Sequence, residues 1–129
     1  MQKTELIQRT KSFGLQVMQL CDNLPPGAVG WNLAKQLMRS GTSIGANYRE
    51  AQRSRTRTEF KSKISICQQE ADETQYWLDL IAEYDGFAPA VRQIAVALRD
   101  EVNQLCRIMM AIGERLIEVQ EAPQPSLEP

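Results

Sequence analysis

Residues 58–81 read TEFKSKISICQQEADETQYWLDLI. Within them Phe60, Ile64, Cys67, Ala71, Thr74, Leu78 and Ile81 recur in strict steps of four and three. That spacing puts the side chains on one stripe of an α-helix, the a/d seam of a heptad pattern, and shows none of the alternation a strand needs. The pattern predicts a helix over 57–84. Thr56 or Thr58 is its N-cap, and Gly86 is the glycine that ends it.

The same periodicity extends outward in both directions. Over 28–53, Leu33, Leu37, Ile44, Tyr48 and Ala51 form an inner face. Ser40-Gly41-Thr42-Ser43 in the middle is poor helix material, and it admits a close helix–helix approach, a kink or a break. Over 3–24, Leu6, Phe13, Val17, Leu20 and Leu24 share one stripe before Pro25 and Pro26 stop the helix. Over 88–119 the stripe is Val91, Ile94, Leu98, Leu105, Ile108, Ile112, Leu116 and Val119. Met109 and Met110 widen it, and Ala95 and Ala97 leave room for a neighbour. Residues 121–129 are proline-rich and polar and read as a flexible tail.

Four helices joined by short breaks predict an all-α fold, an antiparallel up-down-up-down four-helix bundle over residues 1–120. Trp31, Tyr76, Trp77, Leu80 and Met110 flank the seams. They either cover the bundle's edges or form a second buried face for self-association.

Composition limits the chemistry. At 129 residues, 43% apolar and 24% charged, the chain is long enough to bury a core as one domain. It contains no histidine, which removes the commonest neutral-pH acid–base group and with it Ser-His-Asp and Cys-His arrangements. Cys21, Cys67 and Cys106 form no CxxC pair and read as small buried hydrophobes. No cofactor, metal site or catalytic residue is expected, and the protein is not expected to be an enzyme. The first residues, Met1-Gln2-Lys3-Thr4-Glu5-Leu6, lack the apolar run of a signal peptide. No stretch approaches the roughly 18 apolar residues of a membrane span, so the expected location is the cytoplasm.

Charge is uneven. Arg39, Arg49, Arg53, Arg55, Arg57, Lys61 and Lys63 face only Glu50 and Glu59, seven cations against two acids. That stretch carries plus five while the whole chain carries minus one. The turn Arg53-Ser54-Arg55-Thr56-Arg57 is its centre. Arg49, Arg53, Arg55, Arg57, Lys61 and Lys63 are therefore candidate contacts to RNA or DNA phosphates, or else a solvated loop paired with acids nearby. Ser43, Asn47 and Glu50 share one helix face, as do Glu70, Glu73 and Trp77 on the next helix. With Arg39 as a partner they read as a hydrogen-bond network between helices. The alternative for Glu50, Glu70 and Glu73 is a carboxylate metal or enzyme site.

Residues 36–51, QLMRSGTSIGANYREA, resemble the QLxRAxxSIxxNIxEG signature of proteins encoded in intervening sequences of bacterial 23S ribosomal RNA genes, also labelled S23 ribosomal proteins. Thr58-Glu59-Phe60 is similar to that family's start of the third helix. Residues 70–78, EADETQYWL, are similar to its E-x-x-E-T-x-Y-W-L stretch. The likeness spans about Phe13 to Ile117. Tyr48 stands where the signature has isoleucine, and Ala51 where it has glycine. The resemblance implies an antiparallel bundle assembled as a homopentamer, with no established enzymatic activity. It also implies a distant kinship to the accessory protein of diversity-generating retroelements, a pentamer that binds nucleic acid. The resulting expectation is a self-assembling scaffold that meets nucleic acid at the 53–57 corner. The alternative is a protein-partner module without nucleic acid.

Overall fold

The computed structural model describes residues 2–121, with side chains through Ile117. Met1 and residues 122–129, nearly all of the expected tail, lie outside the described residues. The elements are α1 (Lys3–Asn23), α2 (Ala28–Ala51), α3 (Arg57–Glu83) and α4 (Pro89–Glu121). Each boundary falls within two residues of the expected one, and Glu121 closes α4 rather than opening the tail. At about 1.5 Å per residue, α3 is about 40 Å long and α4 about 50 Å.

Each helix packs against its sequence neighbours, α1 also touches α4, and diagonal pairs do not meet. The result is a square, antiparallel bundle. The α2–α3 turn shares one end with the start of α1 and the end of α4. No described helix is long and apolar enough to cross a membrane.

Local chemistry explains the ends. Gly27 has φ 130°, a conformation side chains resist, and its carbonyl accepts from Trp31 N–H at 2.9 Å to begin α2. Thr56 caps α3 by accepting from the Glu59 N–H at 3.0 Å. Pro89 opens α4, where a missing N–H costs nothing. Gly86 is not a left-handed cap. Gly27 has the only positive φ among the described residues, and α3 stops at Glu83 because Tyr84 turns to extended backbone. The ring of Tyr84 occupies the space above Gly86 and meets Phe87 edge to face at 5.0 Å.

The core matches the expected stripes on three helices. Leu6, Phe13, Val17 and Leu20 are buried on α1 and Leu24 just beyond it, as are Leu37, Ile44, Tyr48 and Ala51 on α2, where the expected Leu33 is only partly buried. On α3, Ile64 through Ile81 of the seam are buried and Phe60 is partly so. On α4 the stripe is turned. Ala95, Leu98, Val102, Leu105 and Met109 point inward, while Ile94 is 44% exposed. So much of this helix is apolar that hydrophobicity alone does not settle its phase. Of the two alanines expected to leave room for a neighbour, Ala95 is fully buried and Ala97 is exposed.

Residues 40–43 neither break nor bend out of helix, and α2 is continuous through them. The glycines there sit against α1. A Cβ added to Gly41 would come within 2.9 Å of the Val17 methyls, and one on Gly45 within 3.2 Å of Thr10 Oγ1. Thr10 in turn donates its hydroxyl to the Leu6 carbonyl at 2.9 Å, so a polar side chain lies satisfied at the contact. The thiols of Cys21 and Cys67 donate to the Ala34 and Ile44 carbonyls across helix pairs. Burial pushes Cys21 up to about 11 and Cys67 up to about 12, so both behave as small hydrophobes.

Two glycine substitutions should act with opposite sign. A Cβ at Gly30 would overlap the Pro25 carbonyl, whereas one at Gly113 meets nothing within 4 Å. Gly30→Ala is expected to lower unfolding free energy by about 2–3 kcal/mol. Gly113→Ala is expected to raise it by about 0.5–1 kcal/mol. Denaturant midpoints at unchanged m-value read both.

Candidate nucleic-acid interface

The α2–α3 turn is short because backbone and side chains close it locally. Arg53 N–H donates to the Glu50 carbonyl at 2.9 Å and Ser54 N–H to the Ala51 carbonyl at 3.1 Å. Glu59 completes the cap, its carboxylate accepting from the Arg55 backbone N–H at 2.9 Å. The acid nearest the arginines is thus bound to backbone. Arg53, Arg55 and Arg57 are all exposed, and none forms an ion pair among the described residues. The positive end of the α3 dipole lies among them.

The other three candidates separate. Arg49 is exposed, about one turn before Arg53, and faces the groove between α1 and α2. Lys63 is ion-paired to Glu50 at 2.7 Å. Lys61 lies half-buried toward α4, near Met110 and Glu114. A cation missed in the sequence, Lys11 on α1, lines the same groove as Arg49. Only the α1–α2 packing joins them, and no local sequence signal reports it.

The motif residues form a ladder along the half-exposed edge of the α2–α3 seam. Arg39 reaches Glu70 at 3.3 Å and also pairs with Glu73. Ser43 and Asn47 do not cross the seam. Ser43 Oγ donates to the Arg39 carbonyl at 2.5 Å and Asn47 Nδ2 to the Ser43 carbonyl at 2.8 Å, both within α2. Trp77 meets Tyr76 edge to face at 5.2 Å, and its buried indole N–H has no acceptor among the described residues. The buried polar link lies deeper, where the Ser40 and Thr74 hydroxyls are hydrogen-bonded at 2.9 Å. The sequence places Thr74 on the seam and Ser40 in the poor-helix segment, but nothing in it pairs the two.

Glu50, Glu70 and Glu73 do not converge. Glu50 is turned to Lys63, while Glu70 and Glu73 are turned to Arg39. Among the described residues no three His, Cys, Asp or Glu side chains could hold a metal ion together. The hydrogen bond from Lys63, reinforced by its charge, holds the Glu50 carboxyl below the usual carboxylate range. On α1, Arg9 forks onto the Glu101 carboxylate at 2.7 and 2.8 Å and reaches Gln104 at 2.9 Å, closing the bundle against α4.

Comparisons with known proteins agree with this architecture. Residues 2–111 match the family model described as 23S rRNA-intervening sequence protein. The chain is similar to a crystal structure, at 1.70 Å, of a Bacteroides thetaiotaomicron protein of unknown function from the S23 ribosomal protein family. The two are 28% identical with a TM-score of 0.75 over 88% of this chain and 99% of that one. Among curated proteins none matches.

Two expectations follow from the seam. Lys63→Met should return the Glu50 carboxyl upward toward the ordinary glutamate range in a carbon-detected NMR titration. Because the folded value is lowered, the pair's stabilisation is present at neutral pH and fades as pH falls through that value. Thr74→Val should cost about 1–2 kcal/mol by leaving the Ser40 hydroxyl buried without its partner. The Ser40→Ala/Thr74→Val double variant should cost less than the sum of the single changes, as a thermodynamic cycle would show.

Proposed function

The chain belongs to the 23S rRNA-intervening sequence protein family, and on that premise we propose that it is a non-enzymatic, self-assembling helical scaffold that binds nucleic acid through the Arg53–Arg57 turn. The observation that carries this reading is the arginine trio. Arg53, Arg55 and Arg57 are exposed on one tight turn, have no ion-pair partner among the described residues, and sit where the local acid is spent on capping. Arginines arranged this way bind phosphates without reading sequence, and they do so in a salt-sensitive manner. Arg49 and Lys11 extend the positive surface toward α1.

The non-enzymatic part rests on the spent carboxylates: the three motif glutamates are each held by a cation. The self-assembling part rests on apolar side chains left outside the bundle, Trp31 at 69% and Tyr76 at 56% exposed among them. The family resemblance implies a homopentamer, and that assembly, located in the cytoplasm, is the form proposed.

The test is titration of the protein with single- and double-stranded RNA and DNA over a salt series. Binding at low salt is expected, with affinity falling as salt rises. The Arg53→Ala/Arg55→Ala/Arg57→Ala variant should flatten the slope of log affinity against log salt by about 2 on single strands and about 3 on duplexes. No binding at low salt, or an unchanged slope in the variant, would overturn the nucleic-acid reading.

A further inference from the structure

We infer that the nucleic acid taken at the basic corner is a duplex, gripped by the phosphates of its two strands, and not a single strand with splayed bases. The inference rests on the proposed nucleic-acid binding and names the form of ligand that suits the Arg53–Arg57 turn.

Proteins that hold single strands without reading sequence stack successive bases on aromatic side chains set in a positive groove. The chain has three Phe, three Tyr and two Trp, all among the described residues. None is exposed beside the arginines. Nearest the turn, Tyr48 is buried in the core and Phe60 is packed against it, partly buried. The exposed aromatics are elsewhere. Trp31 stands in the first turn of α2 and Tyr84 follows α3, both at the far end of the bundle. Tyr76 lies about 30 Å along α3 from Arg57. The groove that carries Lys11 and Arg49 has no aromatic lining residue either.

The amides that could read a base edge near the turn are committed to their own helix. Gln52 Nε2 donates to the Tyr48 carbonyl at 3.3 Å and Asn47 Nδ2 to the Ser43 carbonyl at 2.8 Å. What remains is charge at fixed spacing. Arg53 and Arg57 are at most about 14 Å apart along the chain. The turn that holds them is tied down by its own backbone hydrogen bonds and the Glu59 cap, so it does not wrap a flexible strand. A duplex carries one phosphate charge per about 1.7 Å of its axis, against one per about 3.4 Å for either strand. A fixed patch therefore meets about twice as many phosphates on a duplex. Arg49 and Lys11 broaden the patch toward α1, and a broad patch suits two backbones flanking a groove better than one.

Fluorescence anisotropy with the full chain at low salt compares mixed-sequence DNA and RNA duplexes with oligothymidylate and oligouridylate strands of equal length, which form no structure of their own. The duplexes should bind about tenfold more tightly. Thr58, exposed in the first turn of α3 beside Arg57, offers a place to add the missing stacking surface without removing a cation. Thr58→Trp should raise the affinity for the strands about tenfold, the gain from about one stacked base, and leave duplex affinity unchanged. Thr58→Tyr replaces it if its helicity by circular dichroism falls below the wild-type level. Equal or tighter binding of the strands by the wild-type chain, or an aromatic variant that keeps the wild-type preference, would overturn the duplex assignment while leaving nucleic-acid binding intact. No binding of any probe at low salt would overturn both.

Discussion

The approach of α1 to α2 across glycine governs the rest of this bundle. Thr10, Gly14 and Val17 meet Gly41, Thr42 and Gly45 so closely that no larger side chain fits at 41 without a shift. Glycine inside a helix costs about 1 kcal/mol relative to alanine, and four residues of poor helix material in a row favour a break. None occurs, because the missing side chains let two backbones pack. Leu37, Ile44 and Tyr48 on the same helix are buried in the core, and a low-floored groove is left on the outer side of α1 and α2.

Around that contact the edges are closed by ion pairs. Arg9 with Glu101 joins α1 to α4, Arg39 with Glu70 and Glu73 and Lys63 with Glu50 join α2 to α3, and Arg99 with Asp79 joins α3 to α4. These groups are partly to largely exposed, so solvent and salt screen each pair and none is a main source of stability. Their larger effect is on distribution. Of the glutamates that could have gathered into a carboxylate site, Glu50 is drawn to Lys63 while Glu70 and Glu73 share Arg39. Three cations without such partners, Arg53, Arg55 and Arg57, sit together at the α2–α3 turn, where Glu59 serves the helix start instead of the arginines. A positive surface therefore arises as the remainder of the pairing that holds the helices in register.

How far the sequence was legible differs by helix. On α3 the a/d seam was unambiguous because polar residues separate every apolar step. On α4 apolar residues occupy so much of the circumference that several phases are nearly equivalent, and the larger Ile94 was favoured over Ala95. The structure buries Ala95 and leaves Ile94 exposed. Gly86 resembled a C-cap by position alone, but Tyr84 ends α3 with extended backbone and covers the glycine with its ring. The arginine turn was visible in full, since composition and spacing report it directly. The fates of Lys63, Ser43 and Asn47 were not, because their partners depend on which way each helix is rotated.

The sequence by itself determined the number of helices, their ends to within two residues, the antiparallel bundle and the basic corner. These follow from a periodicity that every turn of helix repeats, so neighbouring residues carry the information. The tertiary structure alone decided which cations are engaged, that Lys11 joins Arg49 and that Ser40 meets Thr74. Those outcomes depend on the rotation and register of one helix against another. Backbone contact at Gly41 and Gly45 sets both, and no single helix contains that information.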